Sequence, residues 1–318
     1  MTKASGRRCY GSEDNLNAVE LEGVTKTFGD VTAVDDLSLN VPPGAVYGFI
    51  GPNGSGKTTT LRMIMNIFYP DRGSIRVFGK PHSGSVTSRI GYLPEERGLY
   101  RKMTLRDLLR FYGGLKSGRD VRSEVDAWLD RLGLADWADK KTDTLSKGMS
   151  QKVQFIAAVV TGPEILILDE PFTGLDPVNT DVLRETILDL QKQGTTVIFS
   201  THDMSVAERM CDFIFMIFKG RKVLDGTLAS IQERYGRDTL RISCDGGVSA
   251  LGEIPGIEKV SDYGQVQELR MAAGTDPQDV LSAVVSRARV NSFEITSPSL
   301  HDIFVRIAGP EAREAADA

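Results

Sequence analysis

The stretch Val46-Tyr47-Gly48-Phe49-Ile50-Gly51-Pro52-Asn53-Gly54-Ser55-Gly56-Lys57-Thr58-Thr59 decides the fold. Its first part is a short apolar run of the kind that forms a buried strand, and it leads into a glycine-rich turn. A helix is predicted directly behind the turn, with Leu61, Ile64, Met65 and Phe68 on one face. Glycines let successive backbone N–H groups turn inward and approach an anion closely. The helix N-terminus directs its partial positive charge at the same point. Lys57 has the reach to meet the outer phosphates of a nucleotide, and the Thr58 hydroxyl suits Mg²⁺. Between a strand and a helix, Gly51, Pro52, Asn53, Gly54, Ser55, Gly56, Lys57, Thr58 and Thr59 read as a nucleotide phosphate site. A turn with no ligand is the competing reading.

Downstream, Ile165-Leu166-Ile167-Leu168-Asp169-Glu170 is an apolar strand ending in two acids. Strands of an open α/β sheet deliver their C-terminal residues to the ligand edge. Asp169 is therefore assigned to Mg²⁺, directly or through water, and Glu170 to the general base that polarises an attacking water. Two acids closing a strand before Pro171 would be the bland alternative. Thr201-His202-Asp203 comes after another apolar strand, 196–200, so His202 is expected at the same edge, donating to the terminal phosphate or holding the water. His82 and His301 have no such placement.

Two alternating stretches, 19–22 and 37–41, suggest antiparallel strands on either side of Phe28 and the turn Gly29-Asp30. Residues 104–139 look helical throughout, with one apolar stripe through Leu105, Leu108, Leu109 and Tyr112 and another through Val121, Val125, Trp128, Leu129 and Leu132. A helix near 182–193 between the strands 165–168 and 196–200 implies parallel pairing. The composition shifts near Tyr235-Gly236. Beyond it come a strand (239–243), a hairpin through Asp262-Tyr263-Gly264, a helix (277–288), a strand (293–295) and a last helix (299–307), a pattern fitting a small α+β domain. The expected division is a disordered tail at 1–17, a main domain at 18–235 with a helical subdomain near 98–150, an accessory α+β domain at 236–309 and a tail at 310–318.

With 318 residues, 41% hydrophobic and 25% charged, the chain is long enough for one large and one small globular domain. A formal net charge of −5 offers no broad basic surface, so nucleic acid is not expected as a partner. Cys9, Cys211 and Cys244 lie far apart with no C-x-x-C pair, which suits a reducing, cytoplasmic compartment. No run approaches the ~18 apolar residues of a spanning helix, and the N-terminus lacks the apolar core of a signal peptide.

Between the loop and the acidic strand stands Leu145-Ser146-Lys147-Gly148-Met149, which resembles the signature sequence of ATP-binding-cassette (ABC) ATPases. Gly174-Leu175-Asp176 is similar to that family's D-loop, and Phe28 occupies the position of the aromatic that stacks on adenine. The resemblance spans about residues 19–233. It implies a P-loop α/β fold with a mixed core sheet, an antiparallel β subdomain and a helical subdomain, followed here by the small α+β domain. It also implies ATP and Mg²⁺ as ligands, and a second cassette as partner. In that arrangement Ser146, Lys147, Gly148 and Met149 face the ATP held by the other subunit, so two cassettes enclose two nucleotides head to tail. Two departures stand out. Glu95, in Gly91-Tyr92-Leu93-Pro94-Glu95-Glu96, replaces the usual glutamine that contacts Mg²⁺ and water, and is expected to serve as a metal ligand and site residue. Lys147 and Met149 replace the commoner glycine and glutamine. Residues 91–100 and Pro298-Ser299-Leu300-His301-Asp302-Ile303-Phe304 look like the branch that drives ABC-2-type exporters, such as sodium-extrusion and drug-efflux systems. That branch implies an ATPase at the inner face of the cell membrane, held there by a permease docked beside Glu95. A soluble cassette protein acting on DNA or ribosomes would instead carry two cassettes or long coiled coils, which this chain lacks. A non-hydrolysing regulator has only Glu95 in its favour.

Overall fold

A computed structural model of the chain describes residues 16–81, 84–96, 98–100, 102–236, 238–247 and 254–309. The expected tails (apart from Leu16 and Asn17), Cys9 and His82 lie outside the described residues. The chain forms two compact units that divide between Asp225 and Gly226.

The first unit opens with β1 (Val19–Phe28) and β2 (Val31–Val41), an antiparallel pair in register Val19↔Val41 around the predicted turn. Then come β3 (Val46–Ile50), α1 (Lys57–Ile64), β4 (Arg72–Val77), β5 (Lys80–Pro81) and β6 (Ile90–Leu93). β1, β2, β4 and β5 make a four-stranded sheet in the order β2-β1-β4-β5. The helical segment holds α2 (Leu105–Ser117), α3 (Arg122–Arg131) and α4 (Lys147–Val159). Next are β7 (Ile165–Asp169), α5 (Pro177–Lys192), β8 (Thr196–Thr201), α6 (Met204–Met210), β9 (Phe213–Phe218) and β10 (Arg221–Gly226). The six-stranded sheet runs β10-β9-β3-β8-β7-β6, and β9, β3, β8, β7 and β6 pair in parallel.

Strands buried on both faces explain the continuous apolar runs that mark β3, β7 and β8 in the sequence. Ile165 and Ile167 pack with Tyr47, Phe49, Leu61 and Ile64 on one side of the sheet. Leu166 and Leu168 pack with Val197, Phe199, Leu108, Ile156 and Ile187 on the other. Period-two alternation thus feeds two cores from one strand. It also leaves every parallel strand pointing its C-terminal end at the same edge.

Three expectations are corrected. The 104–139 segment is broken: Gly118, at φ 67°, ends α2 in the left-handed conformation that glycine adopts without a Cβ penalty, and α3 starts at Arg122. The helix behind the glycine-rich turn stops at Ile64, with Asn66 at φ 59°, so Phe68 is not on it. The helix expected over 277–288 ends at Val285.

The second unit contains α7 (Leu228–Tyr235), β11 (Thr239–Cys244), β12 (Ile257–Asp262), β13 (Gln267–Met271), α8 (Pro277–Val285), β14 (Val290–Thr296) and α9 (Leu300–Ala308). Its antiparallel sheet runs β12-β13-β11-β14, with the predicted hairpin joining Asp262 to Gln267. Leu240, Ile242 and Leu269 on one face pack with Val280 and Val284 of α8, giving this unit a core of its own.

Candidate functional site

The turn after β3 needs its glycines. Gly56 sits at φ 107°, and a Cβ there would lie 2.5 Å from the Ala33 carbonyl oxygen. A Cβ on Gly51 would lie 2.2 Å from that of Ile217. Both contacts are with backbone that cannot swing away. Lys57, only 6% exposed, donates its ammonium to the carbonyls of Gly51 at 2.7 Å and Pro52 at 3.0 Å. Burial pulls its pKa down, and Glu170, Asp169 and Glu95 partly offset that shift. Residues 53–59 line a cavity of about 250 Å³ together with Ala33, Glu95 and Glu170. The structure thus brings the loop, the post-β6 glutamate and the post-β7 glutamate to one place.

Behind that wall Asp169 is fully buried at the end of β7. One carboxylate oxygen accepts from the Ser200 hydroxyl; the other has no hydrogen-bond partner. The buried Ser55 hydroxyl is likewise unpaired. Unsatisfied buried oxygens are rare in folded proteins, and two beside one cavity mark a place for a polar ligand. Among the described residues no group of three or more His, Cys, Asp or Glu side chains could hold a metal unaided.

Glu170 adopts φ 49°, a left-handed conformation uncommon for a non-glycine residue. Ser200 holds it there: the Glu170 N–H donates to the Ser200 carbonyl and to its hydroxyl, each at 3.2 Å. One Glu170 carboxylate oxygen accepts from the His202 backbone N–H at 3.0 Å, and His202 Nδ1 lies 2.9 Å from the same oxygen. The ring therefore engages the glutamate. With a proton on Nδ1, its Nε2 is a donor only in the imidazolium form. Ser200 was missed by sequence reasoning. Its one signal is register: in the parallel β7–β8 pair it stands opposite Asp169.

Phe28 is 43% exposed and meets Phe68 edge-on, with ring centroids 5.2 Å apart and the Lys26 ammonium 5.4 Å from its ring centre. Ser146 caps α4, its hydroxyl accepting from the Met149 N–H at 3.2 Å, and Lys147 is exposed beside it. Asp176 caps α5, accepting from the Asn179 N–H at 3.0 Å. A Cβ on Gly148 would come 3.5 Å from Leu175, so the signature-like turn and the D-loop-like turn adjoin. The buried Gln151 amide ties α4 to the loop after Glu170 by donating to the Pro171 carbonyl at 2.9 Å. Neither Phe28, nor residues 146–149, nor Asp176 lines the phosphate-loop cavity of its own chain.

A second cavity, about 430 Å³, lies between α2, α4 and β6, with Tyr92, Pro94, Leu99, Tyr112 and Leu115 among its walls. Lys116 enters it, donating to the Ile90 carbonyl at 2.5 Å, and burial pushes its pKa down to about 8.

Residues 34–173 match the family profile described as "ABC transporter", and residues 226–308 match "ATP-binding protein DrrA1-3-like, C-terminal domain". The chain is 40% identical to the uncharacterized ABC transporter ATP-binding protein YhaQ of Bacillus subtilis, over 91% of this chain and 98% of that one. It is 34% identical to the Nod factor export ATP-binding protein I of Paraburkholderia xenovorans, over 93% and 99% of the respective chains. Among solved structures, an ATP-binding subunit of an ABC transporter superposes with a TM-score of 0.65 at 30% identity, covering 69% of this chain and 93% of that one. CbiO1 of Clostridium perfringens, part of the ABC transporter complex CbiONQ, gives 0.60 at 27% identity, covering 70% and 94%. Strand order, loop, acids and relatives agree: the chain belongs to the ATP-binding subunits of ABC transporters, P-loop ATPases whose ATP hydrolysis powers transport through a membrane permease.

Proposed function

We propose that this subunit drives an exporter and hydrolyses Mg-ATP at a site shared between two cassettes. The observation that carries the catalytic reading is the convergence of Lys57, Thr58, Glu95 and Glu170 on one cavity, backed by the unpaired Asp169 and Ser55 oxygens. The Thr58 hydroxyl, the free Asp169 oxygen and the Glu95 carboxylate are the groups that would hold Mg²⁺, which when bound supplies neutralisation of phosphate charge. Residues 51–59 cradle the phosphates with backbone N–H groups, and Lys57 leaves its loop carbonyls for the outer phosphates. His202 fixes one oxygen of Glu170, so the other accepts a proton from the water that attacks the γ-phosphorus. As the new P–O bond forms, the bond to the β-phosphate oxygen breaks, and ADP leaves with that electron pair. Phe28 stacks on the adenine.

Residues 146–149 and Asp176 lie outside the cavity of their own chain, which supports their facing the nucleotide of a second subunit. Ser146 and the Gly148 N–H at the start of α4 then contact the γ-phosphate there. Export as the direction is supported by the matches to Nod factor export proteins and by the DrrA-like second unit. No helix among the described residues is long and apolar enough to cross a membrane, so the proposed place is the inner membrane face, held by a permease segment in the cavity beside α2. The accessory domain at 236–309 is proposed to regulate or stabilise the dimer.

The test is Mg-ATP turnover by the purified protein, alone and co-purified with a candidate membrane permease. Turnover that vanishes in Glu170→Gln and rises with the permease is the expected result. Steady turnover in that variant would remove Glu170 from the base role.

A further inference from the structure

Two residues depart from the family's usual pattern at opposite charge. Glu95 puts a carboxylate where a neutral amide is usual, and Lys147 puts an ammonium where glycine is usual. Among the described residues Glu95 forms no ion pair, although the Lys57 ammonium acts on it at longer range. Lys57 is the one cation among the described residues that line the cavity, set against Glu95 and Glu170 on its wall and Asp169 behind them. ATP brings further negative charge to the same space.

Lys147 is equally without local purpose. It is exposed at the first position of α4, makes no hydrogen bond or ion pair with any described residue, and has no acidic neighbour in that helix turn. A cation there opposes the partial positive charge of its own helix N-terminus. Local structure therefore disfavours this lysine rather than requiring it. Ser146 and Gly148, on either side, are the residues proposed above to meet the γ-phosphate of the other subunit, and Glu95 lines the cavity that would hold that phosphate.

We propose that Lys147 of one subunit pairs with Glu95 of the other across the bound nucleotide, so that the two departures form a single charge pair. This rests on the shared-site reading above. The pair makes Lys147 a positioning residue: it offsets the carboxylate that would otherwise repel the γ-phosphate, and it makes dimer closure depend on the charge at position 95. Attraction between close charge pairs across an interface is large enough to set dimer affinity.

The experiment is a double-mutant cycle on the full chain in the Glu170→Gln background, with Mg-ATP, reading dimer dissociation by analytical ultracentrifugation at low and high salt. Lys147→Met is expected to weaken the dimer about tenfold at low salt. The same substitution beside Glu95→Gln is expected to cost less than about twofold. Lys147→Arg is expected to retain wild-type dimerisation and its salt dependence, which a merely structural role would not require. Equal losses in both backgrounds would overturn the pairing while leaving the shared site standing. A Glu170→Gln protein that stays monomeric with ATP would remove the shared-site reading, and the pairing with it. Position 147 is exposed, so these variants do not test folding by accident.

Discussion

At the residue scale, Glu170 joins backbone strain to chemistry. Its φ of 49° costs free energy that the surrounding structure must offset, and such strain gathers at functional positions. Ser200 supplies the restraint by accepting from the Glu170 N–H while donating to Asp169. Glu170→Gln removes the proposed proton acceptor and keeps the shape, so kcat is expected to fall by about 10²–10⁴ with ATP affinity little changed. Single-turnover kinetics with nucleotide-binding titration separates the two. Ser200→Ala acts on both acids together. It leaves the fully buried Asp169 without its donor, an expected loss of about 1–3 kcal/mol measured by denaturant unfolding. Activity should fall as well, because the Glu170 backbone loses one of its two restraints. A variant as stable and as active as the parent would show that the Ser200 hydroxyl is dispensable.

At the scale of elements, legibility tracked the physics of burial. β3, β7 and β8 were readable because strands buried on both faces are continuous apolar runs, and each of them delivers a site residue at its C-terminal end: Gly51, Glu170, His202. The break at Gly118 was not read, because two amphipathic stripes continue on either side of it and one glycine is a weak stop signal. The Ser200–Asp169 bond was illegible for another reason: it depends on which strands are neighbours, a tertiary fact. Lys116 is similar. Helical spacing puts it on α2, but only the placement of α2 across the cavity from β6 shows that its ammonium is half-buried and donates to the Ile90 carbonyl. Its pKa falls from 10.5 to about 8, so above pH 8 the folded state holds fewer protons at this site than the unfolded state does. Its contribution to stability is therefore least favourable below about pH 8 and improves as pH rises toward the unfolded value. Tyr47 and Cys211, whose pKa values burial raises, act in the opposite direction at high pH, so a difference between variants is needed. The stability of the parent minus that of Lys116→Met is expected to rise between pH 8 and 10. A flat difference would mean that the ammonium is solvated.

At the scale of the molecule, the arrangement of sites makes a prediction that no single chain can satisfy. In a head-to-tail dimer each site takes its base, Glu170, from one subunit and its signature serine, Ser146, from the other. Glu170→Gln therefore damages the site that its own subunit cradles, whereas Ser146→Arg damages the site that its partner cradles. Both homodimers have two broken sites. The mixed dimer has one site with both defects and one with neither. Mixing the two inactive proteins with ATP should thus restore activity, up to about a quarter of the parent's if subunits exchange at random and the intact site works independently of the broken one. A face-to-face dimer, in which each chain completes its own site, predicts no recovery at any ratio. The exposed positions of Ser146 and Asp176, outside the cavity of their own chain, favour the first outcome. Titrating one inactive variant into the other at constant total protein, while following phosphate release, decides the matter. Recovery should peak near equal amounts, and dilution should abolish it as the dimer dissociates.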